Sequence, residues 1–73
     1  MAEGNWKRLK QSQVMYYGGP LPARVVLEHD EADYFYRIFL ETISAEGKLG
    51  LKAPRFHYWL EDAVADYKER LGR

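Results

Sequence analysis

The sequence predicts a small single α+β domain of two short N-terminal strands followed by two amphipathic helices, in a chain expected to form a homodimer. Three observations carry this reading. Runs of β-branched and aromatic residues flank the turn chemistry of "GGPLP". Apolar residues recur at helical spacing on both sides of a glycine-containing loop. The first helical segment, "HDEADYFYRIFLETISAEG", is apolar around most of its circumference, more than one neighbour can cover. A chain of 73 residues without cysteine has few means of hiding that surface except a partner chain.

Composition narrows the function classes. Eleven basic and eleven acidic side chains cancel, which argues against a duplex binder held by bulk charge. The charges are segregated: Lys and Arg outnumber Asp and Glu four to two over residues 1–29 and six to four over residues 48–73, and are outnumbered one to five over residues 30–47. No apolar run reaches the length of a membrane span, and "MAEGNWKRLKQ" lacks the apolar core of a leader, so a cytoplasmic protein is expected.

Taken in order, residues 1–13 read as a polar, basic arm relieved only by Trp6 and Leu9, ahead of a compact domain over residues 14–73. Val14–Tyr17 and Ala23–Glu28 read as strands. Pro20 and Pro22 make their connection a wide loop, and either strand could pair within the chain or with a second copy. The first helix is expected from Asp30, whose carboxylate can cap a free amide with Glu31 and Asp33 beside it, to Gly47. Its core stripe is Ala32, Phe35, Tyr36, Phe39 and Ile43, with Leu40 beyond one edge and Ile38 and Tyr34 beyond the other. "GKLGLKAP" reads as a loop, and Pro54 suits the first turn of a second helix. That helix carries Phe56, Trp59, Leu60, Ala63, Val64, Tyr67 and Leu71 on one face, opposite Glu61, Asp62, Ala65, Lys68 and Glu69; Tyr58 stands on the polar side. Core and dimer contacts are expected from Phe35, Ile38, Phe39, Leu40, Trp59, Leu60 and Val64.

No residue pattern supports catalysis. His29 and His57 are the only imidazoles, and Ser12 and Ser44 lack the context of an activated nucleophile. No spacing of ligands suits a metal, and no cofactor is implied. An anion or nucleic-acid site could draw on Lys7, Arg8 and Lys10 in the arm, Arg24 in the second strand, and Lys48, Lys52 and Arg55 before the second helix. Trp6, Tyr16, Tyr17, Tyr34 and Tyr58 have no clear place in the core. Tyr and Trp bury much area for little lost rotamer freedom, so these five form a candidate surface for a protein partner.

The order strand, helix, glycine loop, helix over "ARVVLEHDEADYFYRIFLETISAEG" and "FHYWLEDAVADYKERL", from Arg24 to Leu71, resembles the ribbon-helix-helix family of dimeric regulators. The resemblance implies an intermolecular two-stranded ribbon, interlocked helices, Arg24, Val26 and Glu28 facing a DNA groove, and a phosphate clamp at Lys52 and Arg55. Valine and a carboxylate suit that groove poorly. The first expectation is therefore a small non-enzymatic regulator, inhibitor or adaptor that binds a protein through its aromatic surface. DNA binding is the alternative.

Overall fold

A computed structural model of the chain describes residues 6–32 and 34–72. Among the described residues there are four strands and one helix: β1 (Trp6–Gln11), β2 (Ala23–Asp30), β3 (Phe35–Ile43), β4 (Leu49–His57) and α1 (Leu60–Leu71). The strands form one antiparallel sheet in chain order, β1-β2-β3-β4, and α1 packs on one face against β2, β3 and β4. Two strands followed by two helices is therefore not the architecture, and neither is the ribbon-helix-helix arrangement. The helix expected over Asp30–Gly47 is a β-hairpin strand with its turns, and the sheet has four strands where that family has a two-stranded ribbon.

The reason lies in the side-chain period. Phe35, Arg37, Phe39, Glu41 and Ile43 alternate with Tyr36, Ile38, Leu40 and Thr42, so each face of β3 presents apolar groups. Wound as a helix, this composition gives an apolar perimeter with no single face. Extended as an inner strand, it supplies two covered faces. Ile38 is fully buried and Leu40 packs against the main core, so the surface that called for a second polypeptide is sheltered within the chain at both positions. Tyr34 alone of the three is left outside, 72% exposed.

The turns confirm the extended path. Asp30 does not cap a helix: its Oδ1 accepts from the Ala32 amide at 2.9 Å, while the Tyr34 amide donates to the Asp30 carbonyl at 2.8 Å. This Asx-type turn reverses the chain into β3. The expected contribution of Asp33 lies outside the described residues. Gly47, read as a helix stop, closes the β3–β4 turn at φ +83°, with its amide on the Ser44 carbonyl at 2.9 Å.

"GKLGLKAP" is a loop only at Gly47 and Lys48, and Pro54 does not open a helix. Residues 49–54 lie in β4, at the sheet's edge, where a missing amide costs no ladder bond. Residue pairing shifts between Ile38 and Leu40, and Ala53 turns to φ +52° opposite that shift. The other edge also bulges, between Arg8 and Lys10. Residues 6–11, read as part of a loose arm, are this edge strand. Val14–Tyr17 is not a strand; only Met15 pairs, with Ala23.

The main core lies between sheet and helix: Val25, Leu27, Ile38, Ala63 and Tyr67, with Tyr17, Tyr36, Leu40 and Val64 packed against it. α1 starts four residues later than Phe56 requires, so Phe56 belongs to β4, and Trp59, Leu60 and Leu71 are exposed rather than core. The helix is only 12 residues long and crosses an open sheet, so a narrow stripe of Ala63, Val64 and Tyr67 suffices. No helix among the described residues is long and apolar enough to cross a membrane.

Candidate functional site

Among the described residues no helix lies over the sheet face opposite α1, yet Val26 and Phe39 on that face are buried. A ladder of charges covers them. Glu28 accepts from Arg37 at 2.7 Å and from Arg8 at 3.2 Å; Glu41 accepts from Arg8 at 3.0 Å and from Arg24 at 2.7 Å. Arg8 is rooted on β1 and Glu41 on β3, so the arginine stem crosses β2 beside Val26 and shields it. Both carboxylates are buried beneath their cations. The hydrogen bond from Arg8 holds the Glu41 carboxyl below the usual carboxylate range, against the opposing effect of burial, with Arg24 adding to it. Reciprocally, Glu41 raises the Arg8 guanidinium above its ordinary value.

At one end of the sheet this face passes into an aromatic cluster. Trp6 opens β1 opposite Asp30, Phe35 opens β3 opposite the same residue, and Phe56 in β4 pairs with Arg37. The Arg37 guanidinium lies 4.1 Å from the Trp6 ring centre, and the Trp6 and Phe56 rings are 6.5 Å apart. Phe35 contacts Tyr58 at 4.8 Å. Tyr34 precedes Phe35 at the hairpin tip, and Trp59 follows Tyr58 at the entrance to α1. Tyr58 and Trp59 are 69% and 67% exposed, and Phe56 is 57% exposed.

Three of the five aromatics picked out from the sequence, Trp6, Tyr34 and Tyr58, thus come to this end. The structure adds Phe35, Phe56 and Trp59. Tyr16 and Tyr17 lie elsewhere, on the loop between β1 and β2, where Tyr17 shares a hydrogen bond with Ser12 at 3.1 Å.

The basic residues do not converge. Arg8 and Arg24 are committed to Glu28 and Glu41. Lys7 and Lys10 lie on the β1 edge and Lys52 and Arg55 on the β4 edge, three strand spacings or roughly 14 Å away. Lys48 sits in the β3–β4 turn. Arg24, Val26 and Glu28, expected to face a DNA groove, are held within the ladder or beneath it.

One polar group was not anticipated. Asp66 is buried among the apolar residues of α1, with Oδ2 hydrogen-bonded to His57 Nε2 at 2.8 Å and Oδ1 3.5 Å from Arg70 and 3.8 Å from Arg55. It pins α1 to β4. An aspartate flanked by Ala63 and Tyr67 on an apolar arc is the signal for it in the sequence. No nucleophile stands against the His57–Asp66 pair in the contacts described, and no group of three His, Cys, Asp or Glu among the described residues could hold a metal ion. Comparison with known protein families, with curated proteins and with solved structures finds no match to this chain.

Proposed function

We propose that this protein is a non-enzymatic binding module that docks on a protein partner through the aromatic end of its sheet. One observation carries the reading: Trp6, Tyr34, Phe35, Phe56, Tyr58 and Trp59, from three strands, a hairpin turn and the approach to α1, come to one end, where Tyr34, Phe56, Tyr58 and Trp59 are mostly exposed and Trp6 and Phe35 are half-buried beneath them. Folding gains little from aromatics left in water, whereas covering them on association supplies the anchors on which binding energy concentrates. The adjoining Arg37, braced by Glu28, offers a fixed charge for register. A cytoplasmic setting suits this reading, since a cysteine-free chain draws nothing from an oxidising compartment.

The test is capture of a partner from host lysate by the tagged protein, set against Tyr58→Ala and Trp59→Ala. Both substitutions should leave the circular dichroism spectrum and melting temperature unchanged and lose the captured protein. Undiminished capture by both variants removes the aromatic end from the interface.

A further inference from the structure

The helix side of the sheet carries a second feature, separate from the aromatic end. A cavity of about 570 Å³ opens between the loop that carries Tyr16, Tyr17 and Gly18, the β4 bulge at Ala53, and the C-terminal half of α1. Leu40 is part of its wall, and Arg55, Asp66, Glu69 and Arg70 supply its charges. Its size is that of a site for a small organic molecule.

Two guanidinium groups border this space and share one buried carboxylate. Arg55 makes only a 3.8 Å contact with Asp66, and its side chain is 63% exposed, so it is free to turn toward a ligand. Arg70 approaches Asp66 through Nε at 3.5 Å, while its Nη1 is screened from solvent and meets no acceptor among the described residues. Water does not reach that atom, and a buried donor without an acceptor is unfavourable. A modest turn of the Arg70 side chain would bring its donors to an acceptor in the cavity it borders. The rings of Tyr16 and Tyr17, with Leu40 and Ala53, offer apolar and aromatic surface for the rest of a ligand.

We infer that this cavity binds a small aromatic carboxylate, its ring against the tyrosines and its carboxylate forked by Arg55 and Arg70. Guanidinium and carboxylate match in shape and charge. Asp66 and Glu69 set the limit on charge: with two anions already present, a monoanion is accommodated and a dianion such as phosphate is repelled.

Titration of the intact protein with benzoate, followed by backbone amide shifts, tests this. Benzoate should shift Gly18, Ala53 and Arg70 saturably in the millimolar range, and Arg55→Gln, at an exposed position that the fold does not need, should weaken binding by about tenfold. Arg70→Gln should do the same if it folds. Absence of saturable shifts overturns the proposal, as does binding unchanged in Arg55→Gln. Equal or tighter binding of benzylamine or inorganic phosphate overturns the ligand class. Because Tyr58 and Trp59 lie outside the cavity, Tyr58→Ala should bind benzoate as the parent protein does, which separates failure here from failure of the protein-docking role.

Discussion

The Arg8 guanidinium on β1 holds the Glu41 carboxylate on β3 at 3.0 Å, across the whole width of β2. A sheet with α1 packed on one face must protect its second face by other means. Here the means is a five-membered ladder, Arg37, Glu28, Arg8, Glu41 and Arg24, whose central member touches both carboxylates. Arg8→Met keeps the apolar stem and removes the charge, leaving each glutamate with a single partner. The expected loss is about 1–2 kcal/mol, below that of a fully buried pair because the Arg8 side chain is 34% exposed. Urea unfolding measures it; a variant as stable as the parent would show that the ladder is decorative.

Acid should weaken the same contact. The Glu41 pKa is lowered in the folded chain, chiefly by its hydrogen bond from Arg8. Its stabilising contribution is therefore present above the ordinary carboxylate value of the unfolded chain and is lost as pH falls through the lower, folded value. Melting temperatures recorded from neutral pH to about pH 3 should decline on the acid side, and Glu41→Gln should be less stable at neutral pH with a flatter acid decline. An identical pH profile in the two proteins would contradict this.

Tyr34 holds φ +60°, a left-handed conformation that costs a bulky residue on the order of 1 kcal/mol and that asparagine tolerates. Tyr34→Asn should therefore raise stability by up to about 1 kcal/mol while weakening partner capture. Stability and binding moving in opposite directions is the signature of a side chain kept for contact rather than for folding. A loss of stability would show that Tyr34 serves the fold.

Gly50 is constrained by space. A Cβ there would lie 2.8 Å from Thr42 Oγ1 on the neighbouring strand. Gly50→Ala should cost about 1 kcal/mol, and Thr42→Ala in the same chain should recover part of it, giving a favourable coupling in a double-mutant cycle. Additive effects would mean that the strand edge simply shifts.

The parts of this fold that are legible in the sequence are those where one period dominates. Ala23–Glu28 reads correctly as a strand, the wide turn before it follows from its two prolines, and the Ala63, Val64 and Tyr67 face of α1 follows from helical spacing. β3 is not legible in the same way. "YFYRIFLETI" places apolar groups on both faces of a strand and so matches a helical wheel nearly as well. β4 is hidden by Gly50 and Pro54, breakers that an edge strand tolerates. The same errors shape the site. Trp6, Tyr34 and Tyr58 stand out as aromatics without a core position, but Phe56 and Trp59 pass for core only on a helix that begins too early. Asp66 looks ordinary until the arc it shares with Ala63 and Tyr67 is seen to face the sheet, with His57 of β4 within its reach.

The proposed docking role requires another protein to cover the aromatic end of the sheet. A photo-crosslinking amino acid placed at position 58, and separately at position 68 on the exposed face of α1, tests it most directly in the cells that make the protein. Irradiation should yield a discrete adduct from position 58 and none from position 68. No adduct at 58, or the same adduct from both positions, would contradict the account.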